Sequence, residues 1–341
     1  MQKTAEAVSI GHPDKIADYI SSYILDRLIE QDPKVRYAVE VMIKDNVVVL
    51  GGEVSGKFDV FQPEKFVKQA LREIGYDERY ADIWQNKAID IRQIKVINLV
   101  GQQSREIGQG VQQNGWGDQG VFVGYACQGK GLINPELYLA KKLNDSLYQK
   151  ACNSQNLGLD IKTQITLDEN GCIETAIVAI PMLQNENLND FICQSLGKKP
   201  KNIIVNGTGI YQTHASIADC GITGRKLACD FYSTASPIGG GSPWTKDGSK
   251  ADLTLNLYAR QLAVDNLSDN DECFVYLSSC IGRSELISAL VKTINGCTVK
   301  TTNLQIQKTP AQLIKLFGLE QPIYTELCKN GITQHIMKNI Y

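Results

Sequence analysis

The order of the predicted helices and strands constrains the fold of this 341-residue chain more than any other feature. Hairpin patterns and helical patterns interleave along the chain, but they do not repeat regularly as strand, helix, strand. A doubly wound parallel sheet requires that repeat, because each parallel strand is reached through a crossover helix. The chain is therefore predicted to have an α+β fold, and its length suits two or three packed units.

The helical segments are recognised by their apolar spacing and by the residues that start and stop them. In 13–31, Pro13 suits the first helical position, and Ile or Leu recurs every fourth residue from Ile16 to Leu28. Pro63–Ile74 is followed by Gly75, a residue that favours a helix C-terminus. Further helices are predicted over 135–150, 251–266 and 309–317.

The strand segments are rich in Val and Ile and are separated by turn residues. Predicted hairpins pair 35–43 with 47–54 and 161–167 with 172–180, the second around a turn that ends in Asn170-Gly171. Single strands are predicted at 202–206 and 273–280. Two glycine-containing stretches lack any apolar period: 101–124 is predicted to be a mobile connector or lid, and 207–250 an irregular segment.

The composition excludes several classes of protein. A net charge of −2 provides no broad basic surface for nucleic acid. No run reaches the roughly 18 apolar residues of a membrane helix, and residues 1–9 lack the apolar segment of a signal peptide. The ten cysteines form no C-x-x-C pair, and there are only three histidines. We therefore expect free thiols, no structural zinc site and a cytoplasmic location.

The first polar segment is Gly-His-Pro-Asp-Lys at 11–15, where a helix is predicted to start. The backbone N–H groups at a helix start favour phosphate binding, and His12 and Lys15 add cationic donors. Asp14 is a candidate Mg²⁺ ligand. In the alternative interpretation, Asp14 only caps the helix dipole and His12 is a surface residue.

Two shorter segments carry carboxylates next to glycines. Glu53 follows Gly51-Gly52 at the end of a predicted strand, and Glu40 lies on the partner strand. Glu53 is a candidate for binding an α-amino group and Glu40 for binding a monovalent cation, although this segment taken alone favours a solvated turn glutamate. Asp118 lies in Gly-Asp-Gln-Gly at 117–120, which also fits a simple turn.

The longest polar segment runs from Asp219 to Asp252. It contains Asp-Cys-Gly-Ile-Thr-Gly-Arg-Lys at 219–226, three glycines at 239–241 and Lys-Asp-Gly-Ser-Lys-Ala-Asp at 246–252. Glycines permit close backbone approach to phosphate oxygens, and Arg225, Lys226, Lys246 and Lys250 supply positive charge. Asp252 is a candidate ligand for a second Mg²⁺, with Asp14 as its counterpart. A solvated charged loop explains the lysines but explains the three glycines poorly.

The motifs of several common enzyme classes are absent from the sequence. There is no G-x-x-x-x-G-K-[ST] phosphate loop and no G-x-G-x-x-G dinucleotide motif after a strand. There is also no G-x-S-x-G nucleophile motif. A phosphate site in this chain must therefore be built in another way.

Taken in this order, the segments resemble the signature of S-adenosylmethionine synthetases, also called methionine adenosyltransferases. Residues 11–18 read Gly-His-Pro-Asp-Lys-Ile-Ala-Asp, Glu-Gln-Asp-Pro follows at 30–33, and the later motifs fall in place over nearly the whole chain. The resemblance implies three similar α+β domains interleaved in sequence. Their approximate bounds are 1–10 with 128–215, 11–103 with 216–255, and 104–127 with 256–341.

The resemblance also implies a reaction. The sulfur of methionine attacks C5′ of ATP to form S-adenosylmethionine, and the released triphosphate is hydrolysed to pyrophosphate and phosphate. Because a neutral sulfur needs no base, catalysis depends on alignment and on stabilising the departing charge. The family implies two Mg²⁺ ions and K⁺ as cofactors. It also implies a homodimer or a dimer of dimers with active sites between subunits.

The family pattern assigns roles to residues of this chain. The implied catalytic residues are His12, Lys162, Arg225 and Lys246. The implied methionine contacts are Glu53, Gln103, Asp219 and Lys250. The implied ATP contacts are His12, Asp160, Lys162, Ile210, Tyr211, Asp219, Arg225, Lys226, Ser242, Lys246 and Ile281. The implied metal ligands are Asp14 and Asp252 for Mg²⁺ and Glu40 for K⁺.

The sequence departs from the family pattern around these positions. His214-Ala215-Ser216 replaces a Gly-Gly stretch, and Ile238 replaces a histidine before the three glycines. The ligand-contacting positions are kept better than their surroundings. This pattern favours retained chemistry with altered kinetics or substrate tolerance. Two other hypotheses stand beside the active synthetase: a non-catalytic homologue that binds nucleotide or serves as a partner subunit, and a generic polyphosphate hydrolase.

Overall fold

The structure of the protein is a computed structural model that describes residues 2–57, 61–102 and 115–338, with side chains up to 334. Its helices are α1 (Pro13–Ile29), α2 (Pro63–Ile74), α3 (Glu78–Trp84), α4 (Pro135–Cys152), α5 (Asn189–Leu196), α6 (Ala215–Ala218), α7 (Leu227–Asp230), α8 (Ala251–Asp265), α9 (Pro310–Leu316) and α10 (Tyr324–Lys338). Its strands are β1 (Lys3–Val8), β2 (Arg36–Lys44), β3 (Val47–Ser55), β4 (Lys95–Gln102), β5 (Gly120–Cys127), β6 (Lys162–Leu167), β7 (Ile173–Ala179), β8 (Asn202–Val205), β9 (Gly221–Ile222), β10 (Glu272–Ser279), β11 (Ser288–Asn295) and β12 (Thr298–Asn303).

The strands of the described ranges form three four-stranded sheets. Their strand orders are β1-β6-β7-β8, β4-β3-β2-β9 and β12-β11-β10-β5. Each sheet has an antiparallel pair at its centre, and β1, β9 or β5 pairs antiparallel with the first strand of that pair. The fourth strand is parallel in the first two sheets and antiparallel in the third.

A helix precedes the central strand pair of each sheet and packs against that sheet. These helices are α4, α1 and α8, in the order of the sheets given above. Helices and sheets are thus mixed without a regular β-α-β order, and the predicted α+β fold is confirmed. The repeated arrangement supports our proposal that the chain has three interleaved domains. The predicted boundary at 255 falls inside α8, so we propose that the third domain takes this helix from Ala251 onward.

Several predicted elements are found at or near their predicted bounds. Helix α2 spans the predicted residues and ends at Gly75, whose φ of 105° is left-handed and favours glycine. The predicted helix over 13–31 ends at Ile29, and both predicted hairpins are present. The predicted loop over 101–124 is wrong at both ends, because β4 extends to Gln102 and β5 begins at Gly120. The remainder of that loop, 103–114, lies outside the described residues.

One continuous apolar core connects the three sheets and includes Trp84, Trp116 and Trp244. Arg260 is also fully buried, where its guanidinium donates hydrogen bonds to the carbonyl oxygens of Tyr125, Gly131 and Leu132. All ten cysteines lie in the described ranges and none forms a disulfide, as predicted. Within these ranges, no helix is both long and apolar enough to span a membrane.

Candidate active site

The start of α1 brings His12 and Asp14 into a buried position. His12 is the N-cap residue, and its Nδ1 accepts a hydrogen bond from the Asp14 amide at 3.2 Å. Burial, together with the positive charges of Lys226 and Lys162, lowers the pKa of His12 to about 3. The imidazole is therefore neutral at physiological pH. Because Nδ1 accepts, its proton is on Nε2, which remains a hydrogen-bond donor.

The carboxylate of Asp14 is 1% exposed and is held on both oxygens. Its Oδ1 accepts from the Ile222 amide at 2.9 Å, and its Oδ2 accepts from Nζ of Lys226 at 2.6 Å. Burial opposes ionisation, but the hydrogen bonds from Lys226 and the Ile222 amide outweigh it and lower the pKa of Asp14. Nε of Arg225 lies 3.7 Å from Oδ1. We call His12, Asp14, Arg225 and Lys226 the α1 cluster.

The cations of the α1 cluster are carried by the segment 221–226, which passes between α1 and β2. Gly221 fits there only because it lacks a side chain: a Cβ would lie 2.1 Å from the carbonyl oxygen of Pro13. The amide of Gly224 donates to Oδ1 of the fully buried Asp18 at 2.8 Å. Asp18 thus fixes the backbone next to Arg225, although the sequence pattern gave it no role.

Glu40 on β2 accepts hydrogen bonds from two threonines of distant segments. The hydroxyl of Thr223 donates to Oε2, and the hydroxyl of Thr245 donates to Oε1 at 3.0 Å. The site of Glu40 therefore gathers carboxylate and hydroxyl oxygens, which are the ligands that hard cations prefer. Sequence reasoning missed both threonines, because neither lies near Glu40 in the chain.

A second charged pair forms where the glycine-rich segment meets the start of α8. Nζ of Lys246 donates to Oδ2 of Asp252, which lies in the first turn of the helix. A Cβ on Gly241 would lie 2.1 Å from Oδ1 of Asp252, and a Cβ on Gly239 would lie 1.8 Å from the carbonyl oxygen of Val121. Both positions therefore require glycine, because the Asp252 carboxylate and the Val121 backbone pack directly against them.

Asp160 and Lys162 lie at the start of β6. Oδ2 of Asp160 accepts from the Ala215 amide at 3.0 Å, whereas Oδ1 is buried without a hydrogen-bond partner in the described structure. Burial raises the pKa of Asp160 to about 6. Lys162 is exposed at the beginning of the strand, and its positive charge acts to lower the pKa of both Asp160 and His12.

The other predicted site residues are more dispersed. Ser242 lies beside Gly224, Asp219 is exposed and accepts from the Cys220 amide, and Lys250 is the N-cap residue of α8. The predicted adenine contacts Ile210 and Ile281 are 48% and 54% exposed, while Tyr211 is half-buried. Glu53 is half-buried on β3, and Gln103 lies outside the described residues.

In the described part of the chain, no three His, Cys, Asp or Glu side chains are grouped to hold a metal ion. Asp14 and Asp252 are each paired with a lysine instead. A single carboxylate is nevertheless a common protein contribution to Mg²⁺ sites in which phosphates and water supply the remaining ligands. Together with the neutral His12 and the nearby cations, this arrangement fits one class of protein, an α+β enzyme that binds a polyphosphate.

Comparisons with known proteins specify the family. Residues 1–105 match the family model of the S-adenosylmethionine synthetase N-terminal domain, and residues 213–339 match that of the C-terminal domain. The S-adenosylmethionine synthase of Wolinella succinogenes is 33% identical over 96% of this chain and 91% of its own length. That of Helicobacter hepaticus is 32% identical with the same coverage.

A solved structure shows the same fold. It is that of an unusual S-adenosylmethionine synthetase from Campylobacter jejuni, with a TM-score of 0.84 and 30% identity over 97% of this chain and 94% of that one. The chain belongs to the S-adenosylmethionine synthetase family. The predicted family and the predicted enzyme activity, methionine adenosyltransferase, are confirmed.

Proposed function

We propose that this chain forms S-adenosylmethionine by direct attack of the methionine sulfur on C5′ of ATP, with the α1 cluster binding the departing triphosphate. The observation that carries this proposal is the placement of a neutral His12 beside Lys226 and Arg225 at the N-terminus of a 17-residue helix. Backbone N–H groups, the helix dipole and fixed cations together stabilise negative charge as it develops on the leaving group.

In this proposal, His12 and the cations of the α1 cluster act on the phosphates together with Lys162 and Lys246. Nε2–H of His12 donates to an oxygen of the departing triphosphate without changing its own protonation state. Arg225, Lys226, Lys162 and Lys246 bind the phosphate oxygens. Lys226 and Lys246 each hold a carboxylate in the described structure, so we expect them to exchange that carboxylate for phosphate when ATP binds.

The substrate contacts complete the proposed site. Asp160 accepts from a ribose hydroxyl through its free Oδ1. Tyr211, Ile210 and Ile281 contact adenine, and Ser242 lies along the phosphates. The proposed methionine contacts are Glu53, Gln103, Asp219 and Lys250. We further propose that the same cations retain the triphosphate while it is hydrolysed to pyrophosphate and phosphate.

The family generally uses Mg²⁺ and K⁺, and the residues present fit both kinds of ion. We propose that Asp14 and Asp252 hold the two Mg²⁺ ions. Asp252 lies in the first turn of α8 and its carboxylate is paired only with Lys246 in the described structure, which supports this assignment. Glu40, Thr223 and Thr245 offer an oxygen-rich set for K⁺. When bound, the ions would supply positive charge to neutralise the polyphosphate.

We propose that the protein is a homodimer, or a dimer of dimers, in which each active site lies between two subunits. Ile222, Met42, Val49 and Ile97 are register neighbours across β9, β2, β3 and β4 and form an apolar row. Of these, Met42 and Ile97 are 41% and 48% exposed. Such an apolar row on a single chain marks a protein interface.

The proposed interface includes two of the proposed site residues. A second row of register neighbours, two residues along each strand, consists of Glu40, Gly51 and Leu99. Leu99 in this row is 67% exposed. Glu53 lies two residues beyond Gly51 on the same strand and therefore on the same face. We call Glu40, Met42, Val49, Glu53, Ile97, Leu99 and Ile222 the open sheet face. A second copy on this face would meet Glu40 and Glu53. We also propose a cytoplasmic location, which the unpaired thiols support.

A product assay tests the proposed function. Purified protein is incubated with ATP, methionine, Mg²⁺ and K⁺, and S-adenosylmethionine, phosphate and pyrophosphate are quantified. We expect S-adenosylmethionine and pyrophosphate in equal amounts. Nucleotide binding without product at any enzyme concentration would identify a non-catalytic homologue, whereas phosphate release from triphosphate without any methionine-dependent product would identify a polyphosphate hydrolase.

A further inference from the structure

A buried aromatic cluster lies directly behind the proposed nucleotide site. It consists of Tyr76, Tyr80, Trp84 and His214, all of which are buried. The rings of Tyr76 and Tyr80 meet edge to face at 5.0 Å between centroids, and those of Trp84 and His214 do so at 4.6 Å. His214 is one of the residues that replace a Gly-Gly stretch of the family pattern, so the cluster occurs where this chain departs from that pattern.

The hydrogen bonds of His214 and Tyr80 have only one consistent direction. Nδ1 of His214 lies 2.7 Å from the carbonyl oxygen of Gln212, which can only accept, so Nδ1 carries the proton. Nε2 is then an acceptor, and it receives the hydroxyl proton of Tyr80 at 2.5 Å. The Tyr80 oxygen in turn accepts from the Leu159 amide at 3.1 Å. Burial lowers the pKa of His214 to about 4, which agrees with a neutral ring.

Both ends of this hydrogen-bonded chain lie next to Asp160. Leu159, whose amide donates to Tyr80, is the residue before Asp160. Ala215, which follows His214, donates its amide to Oδ2 of Asp160 at 3.0 Å. The φ of Ala215 is 53°, a left-handed conformation that is uncommon for alanine and needs support from its surroundings. The Tyr80–His214 pair therefore fixes the backbone on both sides of the Asp160 carboxylate.

The same cluster borders the segment that carries His12. The hydroxyl of Tyr76 donates to the carbonyl oxygen of Gly11 at 2.7 Å. A Cβ on Gly11 would lie 2.4 Å from the carbonyl oxygen of Leu159, so these two backbone segments pack directly against each other. The hydrogen bond to the segment that carries His12 comes from Tyr76, whereas Tyr80 and His214 act on the side of this contact that carries Asp160.

Asp160 itself shows that the position is prepared for a ligand. Its Oδ1 is buried and has no hydrogen-bond partner in the described structure, whereas Oδ2 accepts from the Ala215 amide. An unpartnered buried acceptor costs free energy unless a ligand supplies the donor. A sugar hydroxyl is such a donor, and inorganic polyphosphate is not.

We propose that Tyr80 and His214 are a pair of positioning residues that holds Asp160 for the nucleoside part of ATP. The inference rests on the proposed function, because it takes ATP as the ligand of Asp160. Neither residue touches substrate. Their loss should weaken the binding of ATP while leaving the binding of the triphosphate group and of methionine nearly unchanged.

The first test is the Tyr80→Phe variant, which removes one hydroxyl and keeps the ring. We expect the Kd and KM for ATP to rise about tenfold, the size of effect that follows when a buried hydrogen-bonding group loses its partner. The KM for methionine and the calorimetric Kd for inorganic triphosphate should change less than twofold. The matched control is Tyr125→Phe, which removes a tyrosine hydroxyl bonded to Glu272 in the third sheet and should leave all four constants unchanged.

The second test is a double-mutant cycle with His214→Asn, whose amide keeps a donor for the Gln212 oxygen but loses the acceptor for Tyr80. We expect the double variant to raise the Kd for ATP no more than the worse single variant, because both remove the same interaction. Fully additive effects would overturn the pairing. The positioning role would be overturned if Tyr80→Phe weakened the binding of ATP and of triphosphate equally, or if it did not weaken the binding of ATP at all.

These binding measurements do not depend on turnover. If the wild-type protein binds ATP but makes no S-adenosylmethionine, the proposed reaction fails while the calorimetric comparison still decides the role of Tyr80 and His214. If the wild-type protein binds triphosphate but not ATP, both proposals fail. Melting temperatures of all variants check that the fold is kept.

Discussion

The α1 cluster and the open sheet face differ in how complete they are within one chain. In the α1 cluster, His12 and Asp14 are each 1% exposed, and backbone amides and Lys226 already fix their polar atoms. On the open sheet face, Met42 and Leu99 are 41% and 67% exposed beside Glu40. In the proposed site, a single chain thus buries and hydrogen-bonds one half, and in the described structure it leaves the other half uncovered.

This difference has a physical reason. Stabilising the charge of a leaving group requires polar groups that are fixed before the reaction. The buried start of α1 supplies such groups, because the Ile222 amide and Lys226 hold Asp14 in place. An exposed apolar sheet face gains free energy only when another surface covers it. We therefore expect substitutions in the α1 cluster to affect chemistry directly, and substitutions on the open sheet face to act through assembly.

The largest expected effect is that of Asp14→Asn. The variant keeps the size of the side chain but removes the charge that is proposed to hold Mg²⁺ and that pairs with Lys226. We expect kcat to fall about a thousandfold, a loss typical of removing a main electrostatic contribution, with a melting temperature within a few degrees of wild type. Asp190→Asn, on the exposed surface of α5, is the matched control. Near-normal turnover would remove Asp14 from the proposed metal site.

A smaller effect, on a different property, is expected from Leu99→Glu on the open sheet face. Because Leu99 is 67% exposed, the substitution should not disturb the fold of one chain. We expect it to produce monomers in analytical ultracentrifugation and to lower specific activity about thirtyfold at micromolar protein, since a central apolar contact is replaced by a charge. Leu316→Glu on α9, where the side chain is 51% exposed, is the control. A Leu99→Glu variant that remains dimeric and active would place the interface elsewhere.

A third prediction concerns the stability of the ligand-free protein. The pKa of Asp160 is raised, whereas that of Asp14 is lowered, so the two carboxylates affect stability in opposite directions as pH changes. Burial raises the pKa of Asp160 to about 6, above the ordinary value of 3.8 expected in the unfolded chain. The folded state therefore binds this proton more tightly, and stability from Asp160 is lost as pH rises from about 4 through about 6. Relative to Asp160→Asn, the free energy of unfolding of the wild type should fall across that window in denaturant titrations. Parallel curves for the two proteins would contradict the raised pKa.

The smallest expected effect is the absence of a histidine titration. Because burial and nearby lysines lower the pKa of His12 to about 3, its ring stays neutral between pH 5 and pH 9. The pH profile of kcat should therefore show no inflection that is due to His12 near 6.5, the ordinary pKa of histidine. The profiles of the wild type and of His12→Asn should have the same shape in this range. An inflection present in the wild type and lost in the variant would show that His12 titrates in the working range.

Much of the fold could be predicted from local sequence. Pro13 marked the start of α1, and Gly75, at a left-handed φ, marked the end of α2. The dipeptide Asn170-Gly171 marked the turn between β6 and β7. In contrast, residues 120–124 of β5 were predicted as loop, because Gly120 and Gly124 interrupt the apolar pattern. Gly124 is needed there since a Cβ would lie 1.9 Å from the carbonyl oxygen of Ala259, a contact that no local rule reveals.

The site was predictable only in part, for the same reason. The motif around Asp14 and the cations at 225–226 were recognised separately, and the structure brings them into contact across more than 200 residues of sequence. The hydroxyls of Thr223 and Thr245 on Glu40 were missed, because their role arises only when distant segments meet. His214 was noted as a departure from the family pattern, but its bond to Tyr80 was not predictable from the sequence.

The most direct test of the central claim is the activity of hybrid dimers. Asp14→Asn subunits, defective in the α1 cluster, are co-expressed with Glu53→Gln subunits, defective on the open sheet face, and dimers carrying both affinity tags are purified. If each site combines the two halves from different subunits, one of the two sites in the hybrid is intact, and we predict about half of wild-type turnover. A hybrid of wild type with an Asp14→Asn/Glu53→Gln subunit should then be inactive. The opposite pattern, an inactive first hybrid and a half-active second one, would contradict the claim.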